Sequence, residues 1–220
     1  MKALPRLPPL PPRLAALAAS ALLGLLALPA ARQALEASMS AHMLLQYPLL
    51  MLAGCCLATA LPARWLARLQ RWNAHGISGL FAVALMLAIL MIPRVLDLAL
   101  IDARIELAKA LALVFCGAAL QLSWRPAGLL VQGFFLGNVL PMMAVVGNLY
   151  ASSPVRVCNA YLLDDQARLG QLLIWISAAV ALLWFALLVR TLMQREAFFS
   201  QADSSEASAS PTKSAAPESH

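Results

Sequence analysis

Six long apolar runs, separated by short connections that carry most of the arginines, constrain this chain more than any other feature of its sequence. A helix that crosses the ~30 Å hydrocarbon layer needs about 20 apolar residues, because it rises ~1.5 Å per residue. Backbone amides must be paired within lipid, and the runs lack the alternation of barrel strands. The sequence therefore predicts an all-α integral membrane protein, a bundle of about six transmembrane helices within residues 14–193. The predicted helices cover approximately residues 14–31, 43–61, 77–93, 105–122, 127–147 and 171–193.

The composition excludes a soluble domain and argues against two function classes. Hydrophobic residues make up 62% of the chain, and ten acidic with sixteen basic residues are too few to cover a water-facing surface. The net charge of +6 does not indicate nucleic-acid binding, because the arginines fall between apolar runs rather than on one polar face. The chain has no nucleophile elbow, metalloprotease motif or phosphate loop, and only three histidines, so we predict that it is not an enzyme.

The charges in the connections predict an orientation. Lysine and arginine are retained on the cytoplasmic side of short loops. Unbalanced basic residues occur before the first helix, in the second and fourth connections and after the last helix, whereas the other three connections balance their charges. This alternation predicts that both ends lie in the cytoplasm. The unbalanced basic residues are Lys2, Arg6, Arg13, Arg64, Arg68, Arg71, Arg125, Arg190 and Arg195.

The two ends of the chain have their own compositions. Residues 1–13 form a basic, proline-rich leader with an LPPLPP stretch, which favours polyproline geometry over helix. The leader and first apolar run also resemble a secretory signal peptide, and cleavage of the first helix stays open. Residues 194–220 are rich in serine, alanine and acidic residues in their distal part, which predicts a disordered cytoplasmic tail.

Three charged residues stand out at or near membrane depth: Asp102, Glu106 and Lys109. Their spacing places them on one face of a helix, near the outer end of the fourth apolar run. A charge in lipid costs at least ~2.5 kcal/mol on insertion scales and is seldom left without a partner. The three residues therefore predict either a stabilising ion pair or a proton or ion site.

A second group consists of soft metal ligands on the predicted outer side. Met39, His42 and Met43 share one helix face, and thioethers with imidazole suit monovalent copper. Taken singly, each methionine is an ordinary apolar filler. Their common side makes copper the candidate ligand of this group. Further candidate ligands on the same side are Met91, Met142, Met143 and Cys158.

Several stretches resemble the CtaG family of cytochrome c oxidase assembly proteins, over roughly residues 36–192. They are SMSAHMLLQYPLL from Ser38, IPRVLDLAL from Ile92, GAALQLSW ending at Trp124, LY at Leu149, and DDQARLGQLLIW ending at Trp175. The positions that match the family pattern are His42, Pro48, Pro93, Asp97, Asp165, Gln166 and Gly170.

The resemblance implies a non-enzymatic protein of the bacterial inner membrane that assists copper-dependent maturation of a haem-copper oxidase at its periplasmic face. Oxidase subunits or copper chaperones would then be its partners. The chain departs from the family pattern at two positions, where Ser38 and Lys109 stand in place of histidines. Two other functions stay open: a small transporter or proton-coupled channel that uses Glu106 and Lys109, and a scaffold that binds partner helices through Gly133 and Gly137.

Overall fold

The computed structural model describes residues 11–209, and every regular element among them is helical. This confirms the all-α prediction for the described residues, where the structure has no β-strand. The elements are α1 Pro12–Ala27, α2 Pro29–Glu36, α3 Met39–Ala41, a π-helix His42–Gln46, α4 Tyr47–Thr59, α5 Ala63–Trp72, α6 Ile77–Leu90, α7 Pro93–Ile101, α8 Ala103–Ser152 and α9 Leu163–Ala209.

Three helical stretches are long and apolar enough to cross a membrane, namely Met39–Thr59, Ala103–Ser152 and Leu163–Gln194. Two bent pairs raise the number to five if each pair forms one span. The pair Pro12–Ala27 and Pro29–Glu36 is bent by 72°, and the pair Ala63–Trp72 and Ile77–Leu90 is bent by 84°. The chain is thus a multi-pass membrane protein with three to five candidate spans, and the predicted number of six stays a prediction.

Prolines explain two differences from the predicted helix bounds. The first predicted helix, residues 14–31, is interrupted at Leu28, which is extended because a proline restricts the residue before it. Likewise α6 ends at Leu90, and a separate short helix begins at Pro93. Proline suits a first helical position because its missing N–H would have no helical partner there.

The 50 residues of α8 contain the fourth and fifth predicted helices, residues 105–122 and 127–147. Gly128 has φ 66° and ψ 175°, so the helical backbone is broken between them. The rings of Trp124 and Phe135 lie 6.3 Å apart on either side of this break, and the Gln132 amide donates to the Trp124 carbonyl at 2.7 Å. Phe135 also shares a core cluster with Cys116. These contacts indicate that residues 129–152 turn back alongside residues 103–127.

The tightest helix packing occurs between α4 and the first half of α8. A methyl group added at Gly54 would collide with the Val114 carbonyl oxygen, and one added at Gly117 would collide with the Met51 carbonyl oxygen. Backbone thus lies directly against backbone at both positions. By contrast, a methyl group at Gly137, one of the two glycines predicted to pack, would meet nothing within 4 Å.

The chain divides into two units, one ending at Ala178 and one beginning at Ala179. Within the described residues, the second unit consists of the remainder of α9. The predicted disordered tail starts at residue 194, whereas α9 continues to Ala209, in a stretch that lacks both glycine and proline. Residues 210–220 and the first ten residues of the predicted leader lie outside the described residues.

Candidate functional site

The three connections predicted to share the outer side meet at one end of the first unit. The Asp165 carboxylate accepts hydrogen bonds from the Met39 amide and the Ser40 hydroxyl. The Asp97 carboxylate accepts from the amides of Asn159 and Ala160, at 3.0 and 3.3 Å. Side chains from α7 and α9 therefore fasten the start of α3 and the loop of residues 153–162 to the same end. The membrane side on which this end lies stays a prediction.

A buried polar centre lies beneath these hydrogen bonds, and His42 occupies the middle of it. His42 is fully buried, and Lys109 and Gln46 are only 2% and 3% exposed. The Lys109 Nζ lies 2.8 Å from His42 Nε2 and 3.2 Å from Gln46 Oε1. On the other side of the imidazole, Nδ1 lies 2.8 Å from the Tyr161 hydroxyl. Four polar side chains from three separate segments of the chain thus meet in an otherwise apolar core.

The π-helix of residues 42–46 positions two of these groups. Pro48 has no backbone N–H and its ring crowds the preceding turn, so a regular α-helix is disfavoured immediately before it. One wider turn accommodates the proline, and π-turns of this kind are frequent at functional sites. His42 and Gln46 begin and end the wide turn, and both side chains are buried. The turn therefore presents an imidazole and an amide to the same lysine.

The hydrogen bonds define the protonation of the centre. The Tyr161 hydroxyl donates its one proton to the Glu36 carbonyl oxygen at 3.2 Å. Burial, together with the Glu36 carboxylate, raises the pKa of Tyr161, which keeps the phenol protonated. His42 Nδ1 must then carry a proton that it donates to the Tyr161 oxygen, and Nε2 must accept from the Lys109 ammonium. The centre is a directional chain from Lys109 through His42 and Tyr161 to Glu36, with the imidazole neutral.

A group of partly buried charges borders this centre. The Arg32 guanidinium lies 3.2 Å from the Glu36 carboxylate and also contacts the Glu106 carboxylate. Arg32 thus joins α2 to α8 at the same end of the unit. The Lys109 ammonium lies 6.0 Å from the centroid of the Tyr47 ring, where the π face attracts a cation.

The structure separates the three charged residues that the sequence placed on one face. Glu106 pairs with Arg32, while Lys109 bonds His42 and Gln46. Asp102 is exposed and caps α8, accepting from the Arg104 amide at 2.8 Å. The helix begins after Asp102, so the helical spacing on which the shared face depended does not extend to it. Each charged side chain has a partner. The partners of Glu106 and Lys109 come from other helices, whereas that of Asp102 is a backbone amide of α8 itself.

The soft side chains gather in one buried cluster around the same end. Met39, Met43 and Cys158 belong to its buried core, and Met91 and Met143 pack against it. Met142 lies beside Met91 in a shallow groove that Pro93 and Tyr150 also line. These candidate ligands do lie in one region, as the sequence predicted. There they pack against each other and against apolar side chains as parts of a hydrophobic core.

A copper ion does not fit at His42 in this arrangement. Both ring nitrogens already form hydrogen bonds with the protein, and the one unprotonated nitrogen faces the Lys109 ammonium. A metal cation would have to take the place of that ammonium, because two cations cannot share one lone pair. Among the described residues, no group of three or more His, Cys, Asp or Glu side chains is arranged to hold a metal.

The positions that match the family pattern lie at this end, and all of them except the exposed Pro48 have a structural partner. Gln166 joins the Val157 amide, at 2.8 Å, to the Tyr150 carbonyl, at 3.3 Å. Gly170 packs against Gly147 so closely that a methyl group would collide with its carbonyl oxygen. The Pro93 carbonyl lies 3.9 Å from the Cys158 sulfur. Residues that are far apart in the sequence are thus linked into one layer over His42. We call this layer the cap; it consists of the loop of residues 153–162, the start of α3 and the side chains of Asp97, Asp165 and Gln166 that hold them.

Sequence reasoning missed four contributors to the site: Gln46, Tyr161, Glu36 and Arg32. Gln46 carried a usable signal, since it is a polar residue in an apolar run, four positions after His42. Tyr161 carried none, because an aromatic residue in a loop is ordinary. Its role depends on the fold of residues 153–162, which the Asp97 and Gln166 hydrogen bonds determine.

The loop over the site makes a testable prediction at Cys158. Burial raises the pKa of this thiol to about 12, and the Asp97 carboxylate acts in the same direction. Since the thiolate is the reactive form, we expect alkylation at pH 8 to be roughly a thousandfold slower in folded protein than in denatured protein. Mass spectrometry of the peptide that contains Cys158 measures this rate.

The matched variant for this experiment is Asp97→Ala, which removes the acceptor for the Asn159 and Ala160 amides. It should loosen the loop and raise the alkylation rate of Cys158 in folded protein. Equal rates in folded and denatured wild-type protein would contradict the described burial.

A search of protein-family models, a search of curated proteins and a search of solved structures each found no match to this chain.

Proposed function

We propose that this chain is a non-enzymatic accessory protein of the bacterial inner membrane, similar to an assembly factor of haem-copper oxidases, and that its working site is the cap around His42. Its partners in this proposal are oxidase subunits, which it contacts at the periplasmic face. The proposal builds on the resemblance in the sequence and on the geometry of the cap.

One observation carries the proposal. The residues that match the family pattern extend from His42 to Gly170, yet they gather around one end of one unit. If the pattern reflected only helix packing, we would expect its polar members to be spread along the helices instead of gathered at one end. Asp97, Asp165 and Gln166 instead hold backbone amides in place over a buried imidazole, which is what a preformed recognition surface requires.

Copper at His42 is not part of the proposal, because Lys109 already supplies the cation in that position. The Lys109 ammonium, with Gln46 and the Tyr47 ring around it, stabilises the centre without a metal. The proposed role is therefore to hold a partner subunit during maturation, through the shape and polarity of the cap.

The test is complementation of a strain that lacks the gene. We expect its membranes to lose haem-copper oxidase activity and the matching haem absorbance, and wild-type protein to restore both. The His42→Gln variant should restore neither, although immunoblots show it at normal level. Leu130→Ala is the matched control, because this side chain is 87% exposed and belongs to neither core cluster. Normal oxidase activity in the deletion strain would overturn the proposal.

A second candidate, a proton-coupled channel, is favoured by the directional chain from Lys109 to Tyr161. Hydrogen-bonded chains of this kind can relay protons across a buried region. Reconstituted vesicles distinguish the two candidates. Proton flux through wild-type protein that is lost in a Glu106→Leu and Lys109→Leu double variant would support the channel. Absence of flux in wild-type protein would leave the accessory role.

A further inference from the structure

The helix α5, Ala63–Trp72, has two contrasting stripes. Arg64, Arg68 and Arg71 repeat at intervals of four and three residues, so they share one side. Trp65, Leu69 and Trp72 repeat in the same way on the adjoining side and are 48%, 43% and 85% exposed. No residue of α5 is buried, and residues 60–76 contain no acidic side chain. Neither stripe is covered by the rest of the described chain.

The backbone fixes the direction of α5. It meets α6 at an angle of 84°, and Gly76 makes the bend with φ 69°. The Asn73 side chain holds this bend, since its oxygen accepts from the Gly79 amide at 3.1 Å and its nitrogen donates to the Ser123 hydroxyl at 2.7 Å. If α6 crosses the bilayer near its normal, α5 must lie close to the plane of the membrane surface.

We infer that α5 is a membrane-surface helix that binds the headgroups of anionic phospholipids. The tryptophans and Leu69 insert at the boundary between headgroups and acyl chains, where amphipathic aromatic rings are favoured. The three arginines then lie at headgroup depth, and a guanidinium matches a phosphate with paired hydrogen bonds. Charge complementarity requires an anionic partner, and the exposed apolar stripe selects a lipid surface over a soluble polyanion, which would leave the tryptophans in water.

The test uses full-length protein purified with a mixture of phosphatidylglycerol and phosphatidylcholine. Native mass spectrometry counts the lipids of each type that remain bound. We expect wild-type protein to prefer phosphatidylglycerol. The ratio of bound phosphatidylglycerol to bound phosphatidylcholine should fall about tenfold in a triple variant, because each surface arginine contributes to the attraction of anionic lipid. The variant carries Arg64→Gln, Arg68→Gln and Arg71→Gln. All three side chains are exposed, so the fold should be retained.

The matched control removes the same charge elsewhere, by Arg94→Gln, Arg104→Gln and Arg156→Gln, which are exposed near the opposite connections. This variant should keep the lipid preference. A loss of equal size in both variants would overturn the inference, because it would reflect net charge alone. The inference would also be overturned if soluble heparin displaced the bound lipid and if replacement of Trp65 and Trp72 left the amount of bound lipid unchanged.

A second measurement reports the position of the tryptophans. In vesicles with lipids brominated near the headgroup, fluorescence of wild-type protein should be quenched more than that of the Trp65→Phe and Trp72→Phe double variant. Trp175→Phe is the control, since that exposed ring lies on α9. Quenching of Trp65 and Trp72 by aqueous iodide instead of brominated lipid would contradict the surface location.

Discussion

Replacing Gly117 with valine is expected to lower the free energy of unfolding of the protein's first unit by about 3 kcal/mol. The backbone of α4 at Met51 lies where the new side chain must go, and neither backbone can withdraw without opening the helix pair. Overpacking of a well-packed core costs typically ~1–3 kcal/mol, and contact with backbone belongs at the upper end of that range. Titration with sodium dodecyl sulfate, followed by circular dichroism, measures the free energy of unfolding.

Gly137→Val is the matched control for this experiment. It makes the same change in helix propensity at a position where a methyl group meets nothing within 4 Å. Its free energy of unfolding should remain within about 1 kcal/mol of wild type, since surface substitutions have small effects. Equal loss of stability in the two variants would contradict the packing of α4 against residues 103–127.

The second large effect is expected at the polar centre. His42→Leu leaves the Lys109 ammonium buried with Gln46 as its remaining hydrogen-bond acceptor. An unsatisfied buried polar group costs about 1–3 kcal/mol and a charged one more, so we expect His42→Leu to lower the free energy of unfolding by about 3 kcal/mol. Lys109→Leu leaves one neutral nitrogen of His42 unpaired, which costs about 1–3 kcal/mol. The double variant should be more stable than the sum of these losses predicts, because it leaves neither partner alone.

The double-mutant cycle measures the coupling between His42 and Lys109 directly. A control cycle combines His42→Leu with Leu130→Ala, whose exposed side chain belongs to neither core cluster. The control should show additive losses in the free energy of unfolding. Additive losses in the His42 and Lys109 cycle as well would mean that the two side chains do not interact.

The fold could be predicted from the sequence to the extent that apolar length determines it. The runs near residues 43–61 and 171–193 contain long helices in the structure, and the π-turn before Pro48 leaves the first of these helical stretches continuous. The breaks were harder to locate. The break at Leu28 could be located from Pro29. The break in α8 could not, because the sequence does not show which of the ten glycines has the positive φ found at Gly128. The tight contacts at Gly54 and Gly117 required knowledge of which helices are neighbours.

Part of the site was predictable from the sequence, but the pairing of its members was not. Lys109 was singled out because a charge in an apolar run needs a partner, and His42 because its imidazole shares a helix face with two methionines. Their mutual pairing depends on the contact between the π-helix and α8, which lie 67 residues apart. Asp102 was predicted to face the bundle on the same helix face as Glu106 and Lys109. It is instead the exposed N-cap of α8, because the helix begins only after it.

The polar centre depends on a neutral His42 that accepts a hydrogen bond from Lys109. Solid-state nitrogen NMR can observe this bond on protein in lipid with labelled histidine, in a variant that carries His75→Gln and His220→Gln so that His42 is the one remaining histidine. We expect a single tautomer with its proton on Nδ1 and an unprotonated Nε2 close to the Lys109 nitrogen. An imidazolium signal, or a proton on Nε2, would show that His42 does not accept from Lys109.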